Sequence, residues 1–252
     1  MTYADAHCHL GSRQFDQDLD AVIERMLAAN VRKAIIICCS DHDLAHGRQF
    51  RQRYPGFRLA LSIHPQDLEE DHDDIRLAAL KQAVLENHAD MIGETGLDYY
   101  SHPHTREYQQ HFFKAQLEMA AELHLPVDIH CRRATKDTID ILKQYPVTGI
   151  IHSYSGSPET AREFVKMGYS ISFGASVLFP GSRKPAMVIA GMPLDRLLVE
   201  TDAPFQSPVM NHRHEPADII AIYEAIARIR QIPLAELERI TEDNFDRVFA
   251  KS

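Results

Sequence analysis

Histidines and carboxylates recur in this sequence where short apolar segments end, and the first such place is Asp5-Ala6-His7-Cys8-His9. In an extended segment, residues i and i+2 point to the same side of the chain. His7 and His9 can therefore aim their imidazoles at one point. Taken alone, an HxH pair fits a metal site and two partly exposed histidines equally well.

Four further apolar segments end on the same residue types. Glu94 closes the run that begins at Met91, and a carboxylate buried there is costly unless a metal ion or an arginine pairs with it. His130 and His152 each end another apolar run, and Asp202 belongs to an acidic pair that follows Leu197-Leu198-Val199. Each residue by itself is also explained by a salt bridge or by a hydrogen-bonded core histidine.

The elements that must position these side chains alternate between β-type and helical patterns. Eight segments are predicted as strands: Tyr3–His9, Lys33–Cys39, Arg58–Ile63, Met91–Glu94, Val127–Cys131, Thr148–His152, Tyr169–Phe173 and Arg196–Glu200. Helical patterns follow them at Asp16–Ala29, Asp41–Arg53, Asp73–Asn87, Thr105–His124, Ala134–Gln144, Pro158–Met167, Arg183–Ala190, Pro216–Arg230 and Leu234–Phe249. This order predicts a (β/α)8 TIM-type barrel with an extra C-terminal helix, as a single domain over residues 1–252. An open doubly wound sheet is the alternative, but the sequence contains neither GxGxxG after its first strand nor GxxxxGK[ST].

A barrel would bring the five chemistry-bearing segments together, because all of its strands end on one face. The predicted ligands then lie at the ends of strands 1, 4, 5, 6 and 8. Three donors per ion plus water are typical of a catalytic rather than a structural metal site. We therefore expect two divalent cations bridged by one carboxylate, with six ligand side chains: His7, His9, Glu94, His130, His152 and Asp202.

Composition narrows the function further. The chain has 252 residues, of which 44% are hydrophobic and 25% charged, as in ordinary globular proteins. Its net charge of −9 argues against a protein that coats nucleic acid with a broad basic face, but not against an enzyme with a local cationic or metal site. The four cysteines form no CxxC pair, and no signal peptide or transmembrane run is evident. A cytoplasmic protein without a membrane contact or an obligate protein partner is expected.

Five segments together resemble one family: DAHCHL, GETGLDYY, PVDIHCRR, IHSYSG and LLVETDAP. They are similar to the motifs of the TatD family of metal-dependent deoxyribonucleases, a branch of the amidohydrolase-type barrels. The resemblance extends from Asp5 to Asp243-Asn244-Phe245. It implies that His7, His9 and Asp202 hold one metal, that His130 and His152 hold the other, and that Glu94 bridges them.

The resemblance also implies a mechanism. Water bound to the metals, with its pKa lowered toward about 7, supplies hydroxide for attack on a phosphodiester. Asp202 orients that water and takes its proton, and Glu94 takes part as the bridge. Histidine ligands suit Zn, Mn or Ni, whereas phosphoryl transfer often uses Mg or Mn, so the metal identity stays open.

Three further residues are expected to contact the substrate. The segment Ser62-Ile63-His64-Pro65 resembles a Gly-x-His-Pro element of the family with Ser in place of Gly, which implies that His64 is a site residue but not a direct ligand. Arg132 is interpreted as a phosphate clamp or as a surface ion pair. Asp98 is a substrate ligand, a partner that orients a metal ligand, or a helix N-cap.

The predicted function is hydrolysis of DNA phosphodiester bonds, with a preference for single strands or ends. Two departures from the family pattern, Tyr154 where Phe is usual and Phe205 where Tyr is common, leave the ligands intact but can alter the pocket. The loops that surround the open end of the predicted barrel, here called the mouth loops, carry cationic side chains that are expected to help bind phosphates: His102, His104, Arg183, Lys184, His212, Arg213 and His214. The alternatives are an amidohydrolase or esterase acting on a small molecule or an aminoacyl ester, and a non-catalytic metal-binding barrel.

Overall fold

Eight parallel strands form the centre of the molecule. The computed structural model describes residues 2–68, 73–101, 106–179 and 181–250. The strands pair in chain order and are β1 (Tyr3–Cys8), β2 (Val31–Cys38), β3 (Phe57–Leu61), β4 (Met91–Asp98), β5 (Val127–Arg132), β6 (Gly149–Ile151), β7 (Ser170–Phe173) and β8 (Leu197–Val199). After β8, the Asp202 N–H donates to the carbonyl of His7 at 2.9 Å, and the His9 N–H donates to the carbonyl of Ala203 at 2.8 Å. These bonds bring the last strand back to the first, so the predicted (β/α)8 barrel is confirmed and the open sheet is wrong.

The helices alternate with the strands as predicted. They are α1 (Leu19–Ala28), α2 (Asp41–Arg53), α3 (Asp73–Glu86), α4 (Arg106–Leu123), α5 (Thr135–Leu142), α6 (Pro158–Lys166), α7 (Arg183–Gly191), α8 (Ile219–Arg230) and α9 (Leu234–Val248). The helix α1 begins at Leu19 rather than Asp16, because Arg13–Phe15 forms a short 3-10 turn that buries Phe15. Thr105, the predicted start of α4, lies outside the described residues. Within the described ranges, none of the helices combines the length and hydrophobicity needed to cross a bilayer.

Strand β4 continues four residues beyond its predicted end at Glu94. It pairs with β5 as far as Asp98 opposite Arg132. The glycines on either side of Glu94 permit close contact between the two strands. A Cβ on Gly96, whose φ is +147°, would lie 2.0 Å from the carbonyl oxygen of His130. The extension carries Asp98 to the same end of the barrel as the predicted ligands.

The apolar core has two parts because parallel strands are buried on both faces. Most core side chains form one large cluster between strands and helices, to which β2 contributes Ala34, Ile36 and Cys38. The alternate residues of β2, Ile35 and Ile37, belong to a smaller cluster of strand side chains that fills the barrel. The extra helix α9 contributes Phe245 to this smaller cluster, and its Asn244 amide donates to the carbonyls of Leu194 and Leu197.

Candidate metal centre and active site

Glu94 lies at the centre of the site, and its two carboxylate oxygens face different groups of histidines. Oε2 is 3.5 Å from His7 Nε2 and 3.4 Å from His9 Nε2. Oε1 is 2.6 Å from His130 Nδ1 and 2.7 Å from His152 Nε2. The side chain is almost completely buried. One carboxylate therefore connects two clusters of imidazole nitrogen atoms.

The cluster around Oε2 includes Asp202, which follows β8. Asp202 Oδ1 lies 3.5 Å from the Nε2 atoms of both His7 and His9, and those two nitrogens are 3.2 Å apart. The i and i+2 histidines of the sequence thus converge as predicted. The other oxygen of Asp202 accepts a hydrogen bond from the Gln206 amide, which fixes the orientation of the carboxylate.

The cluster around Oε1 contains one histidine more than the sequence predicted as ligands. His130 Nδ1 and His152 Nε2 are 3.2 Å apart. His64 Nε2 lies 3.4 Å from Glu94 Oε1, and its ring packs edge-on against that of His130. The geometry therefore makes His64 a candidate ligand, whereas the resemblance implied a site residue outside the ligand set.

Asp128 supports the first cluster, although it was not among the site residues predicted from the sequence. Its Oδ2 accepts a hydrogen bond from His7 Nδ1 at 2.7 Å, and both side chains are fully buried. With Nδ1 protonated, His7 presents the lone pair of Nε2 to the site. The sequence did contain a signal for it: Asp128 lies between Val127 and Ile129 in an apolar strand, and a charge buried there needs a partner.

The donor set fits metal ions. His7 Nε2 faces His9 Nε2, Glu94 Oε2 and Asp202 Oδ1. Crowded lone pairs of this kind are stable only with protons or cations between them. Among the described residues of this centre, three sets of side chains have ligand atoms close enough to share an ion: His7 with Glu94 and His152, His7 with His9 and Asp202, and His64 with Glu94 and His130. Imidazole and carboxylate ligands suit divalent ions such as zinc and manganese.

The pKa values of Glu94 and His7 reflect the same crowding. Burial alone would raise the pKa of Glu94, but the nearby His152, His64 and His7 bring that pKa well below its ordinary value. Burial alone would lower the pKa of His7, yet the carboxylates of Asp128 and Glu94 raise it well above the ordinary value. The site therefore combines negative carboxylates with imidazoles that take up a positive charge. A divalent cation bound between them would supply that positive charge in place of the protons.

The chain matches the model of one protein family, described as TatD related DNase, over residues 4–250. The chain belongs to this family. The family predicted from the five sequence motifs is thus confirmed, and with it the prediction of a metal-dependent hydrolase.

Similar proteins come from bacteria and from humans. The chain is 36% identical to an uncharacterized metal-dependent hydrolase, YabD, of Bacillus subtilis over 97% of its length and 98% of that protein. It is 33% identical to the human deoxyribonuclease TATDN3, covering 98% of this chain and 94% of that protein. Among solved structures, the TatD homologue YJJV of Escherichia coli K12 superposes with a TM-score of 0.91 at 31% identity, covering 98% and 97% of the two chains.

In this TatD-family chain the centre opens into a cavity of about 630 Å³. Arg132 lines the cavity and is half exposed. Its guanidinium carbon lies 4.2 Å from the centroid of the Tyr100 ring, and Nη1 lies 4.0 Å from Asp98 Oδ2. A planar, exposed guanidinium in this place suits a phosphate, and the clamp role of Arg132 stays a prediction.

Asp98 is better placed to orient a ligand than to touch a substrate. Its side chain is fully buried. Oδ1 accepts hydrogen bonds from the N–H groups of Tyr100 and Ser101, and Oδ2 accepts from the Gln66 amide and lies 3.4 Å from His130 Nε2. This geometry favours the second of the three sequence interpretations, a partner that holds the ring of His130.

The mouth loops supply fewer free cations than expected. Arg213 donates to the carboxylates of Asp18 and Glu215 and stacks on Phe15. The expectation that Arg213 binds phosphate is therefore wrong, because its donors hold the loop after β8 against the start of α1. His214 is fully buried, and its ring nitrogen pairs with the carbonyl of Phe205.

Other predicted mouth residues remain accessible or undescribed. Arg183 and Lys184 are exposed at the start of α7. His212 lies 3.2 Å from Asp218. His102 and His104 lie outside the described residues.

The two departures from the family pattern differ in their effect on the pocket. Phe205 lines the cavity, and its ring packs edge-on against His9. Tyr154 is buried, donates to the carbonyl of Ser157 and packs against Phe173. Only Phe205 can therefore affect the substrate directly.

Proposed function

We propose that this protein hydrolyses phosphodiester bonds of DNA at a centre of two divalent cations bridged by Glu94. The observation that carries the proposal is the division of the Glu94 carboxylate between two imidazole clusters. His7, His9 and Asp202 would hold one ion, and His130 and His152 would hold the other. Paired cations of this kind supply activated water and offset charge at both the attacking and the leaving oxygen.

The chain's own residues divide the remaining tasks. Asp202 is the proposed base, because its Oδ1 faces the site and the Gln206 amide holds its second oxygen. Its pKa would be raised by burial alone but is lowered by His9 and His7, so the carboxylate is ionised and able to accept a proton at neutral pH. Asp128 fixes the tautomer of His7, and Asp98 orients His130.

The shape and charge of the mouth favour an unpaired strand. The site lies inside a concave cavity, and a stacked duplex would have to release a nucleotide at a cost of a few kcal/mol to reach it. Among the described residues that line the cavity, Arg132 is the one arginine, and no lysine is present. With a net charge of −9, the protein would contact few phosphates beyond the one that is cleaved.

Hydrolysis of a carboxylic ester or amide is the competing reaction, since the same centre could attack a carbonyl carbon. Two observations favour DNA. Arg132 presents a flat guanidinium to the cavity, and the relative that is 33% identical is a human deoxyribonuclease. A non-catalytic barrel would not require a carboxylate held like Asp202.

The test compares metal-stripped protein refilled with Mg, Mn or Zn on end-labelled single-stranded and duplex DNA, beside a panel of small esters and amides. The variant Asp202→Asn, purified in the same way, measures any contaminating nuclease. We expect cleavage of single strands by the wild type and little by the variant. Turnover of an ester or amide without DNA cleavage under any metal would reject the proposal.

A further inference from the structure

A second group of metal-type ligands lies outside the Glu94 centre, at the start of α2. His42 and His46 are four residues apart on this helix, which places them on one face. Asp16, which follows the 3-10 turn after β1, reaches the same point. One ligand atom from each of these three side chains lies within 4.8 Å of the other two.

The hydrogen bonds of His42 fix its tautomer. Nδ1 is 3.1 Å from the carbonyl oxygen of Gly11, which can only accept, so Nδ1 carries the proton. A neutral ring then has a lone pair on Nε2, and this atom faces the carboxylate of Asp16 at 3.3 Å. Two acceptors face each other, so a proton or a cation must lie between them. An imidazole that donates to a backbone carbonyl through one nitrogen and offers the other is the usual state of a metal-bound histidine.

The backbone around these residues is held tightly. A Cβ on Gly11 would lie 2.8 Å from the Cα of Asp43, so the segment after β1 packs directly on the first turn of α2. His46 packs between His42 and Phe50, with ring centroids 4.9 Å and 6.0 Å away. The three donors therefore come from elements whose relative positions are fixed, which lowers the entropy cost of binding an ion.

The group is distinct from the proposed catalytic centre but lies on the same face of the barrel. Ser12, four residues before Asp16, and Asp43, which follows His42, line the cavity, whereas Asp16, His42 and His46 do not. We propose that Asp16, His42 and His46 bind a divalent transition-metal ion at the rim of the active-site cavity. Two imidazoles and one carboxylate select zinc, nickel or cobalt over magnesium, and they leave positions open to water.

The test counts metal ions. Metal-stripped wild type and the variant His42→Ala/His46→Ala are dialysed to equilibrium against graded free Zn²⁺, and bound zinc is measured by elemental analysis. The control is His111→Ala, which removes an exposed histidine from α4. We expect wild type and control to bind one equivalent more than the double variant. This difference does not depend on how many ions the Glu94 centre holds, so the result stands even if the proposed function fails.

A single substitution on the exposed Asp16 gives a second measure if the double variant is unstable. Asp16→Asn should weaken binding of the additional zinc by at least ~10-fold, the lower end of the loss seen when a residue that only supports a ligand is changed, while leaving the other equivalents unchanged. Identical zinc uptake by the wild type, the double variant and Asp16→Asn up to millimolar free zinc would overturn the proposal. A proton between His42 and Asp16 would then explain the contact.

Discussion

His7 and Asp128 form a fully buried pair in which a ring nitrogen and a carboxylate oxygen are 2.7 Å apart. The two residues come from β1 and β5, which are not neighbours in the sheet. The pair therefore spans the barrel and directs the second nitrogen of His7 to the point where Glu94 and Asp202 meet. A carboxylate in this place also makes the imidazole more basic and a stronger ligand.

Asp128→Asn should weaken metal binding about 10–100-fold, because the amide keeps the shape of the side chain but loses the charge. The measurement is the dissociation constant for Zn²⁺ or Mn²⁺ in competition with a chelator. Asp137→Asn is the matched control, since Asp137 pairs with Tyr99 away from the ligands. Unchanged affinity would show that Asp128 contributes only packing.

Glu94→Ala should reduce occupancy of both metal positions, because each cluster loses one oxygen of the carboxylate that they share. Asp67→Ala, which removes another carboxylate from the cavity wall, serves as the control and should retain both ions. Elemental analysis of protein purified without chelator gives the occupancy. Full occupancy in Glu94→Ala would mean that the carboxylate does not bridge.

The sequence predicted the barrel well because its strands carry local signals. The run Ala34–Cys38 is continuously apolar, as a strand buried on both faces must be, and it forms β2. The end of β4 was not predictable in the same way. Gly96 weakens a strand locally, and only the close approach to His130 on the next strand shows why a glycine extends the pairing there.

The site was predictable to the extent that its ligands end strands. His7 and His9 converge because the i, i+2 relation is local. The pairing of His7 with Asp128, by contrast, depends on which strands lie across the barrel, and no spacing along the chain encodes it. The same holds for Arg213, whose engagement by Asp18 joins segments 195 positions apart.

Asp202→Asn should retain the fold and much of the metal binding but reduce kcat by about 10²–10⁴-fold, because an amide can ligate weakly yet cannot accept the proton. Gln206→Ala should reduce kcat less than Asp202→Asn does, because it frees one oxygen of Asp202 but leaves the proposed base in place. Steady-state kinetics on single-stranded DNA measure kcat for the wild type and both variants. A kcat close to wild type in Asp202→Asn would transfer the role of base to another group, such as His64.

Arg213→Gln should lower the melting temperature at neutral pH, because the loop after β8 loses its ion pairs with Asp18 and Glu215. Arg213 lowers the pKa of Asp18, and Arg25 together with Arg213 lowers that of Glu215. Carboxyls with lowered pKa stabilise the fold above their ordinary pKa of about 4, and this contribution is lost as the pH falls further. The difference in melting temperature between wild type and variant should therefore shrink below about pH 4. Thermal unfolding followed by circular dichroism across this range tests it, and a difference that stayed constant would argue for lost packing on Phe15 instead.

If Arg132 is the phosphate clamp, Arg132→Gln should raise KM for single-stranded DNA more than it lowers kcat, because the proposed contact of the guanidinium is with a phosphate and not with the reacting water. Each phosphate neutralised on a single strand contributes about −0.7 to the slope of log K against log salt, so the variant's slope should be shallower by about that amount. Arg132→Lys keeps the charge and should restore the slope, but only part of the affinity, since it lacks the planar fork.

Arg162→Gln, which removes an exposed arginine from α6, is the control and should change neither the affinity for the strand nor the salt slope. Binding is measured by fluorescence anisotropy with the Asp202→Asn background, so that the strand is not cleaved during titration. Equal salt slopes for Arg132→Gln and the wild type would place Arg132 outside the phosphate contacts and leave its stacking on Tyr100 as its role.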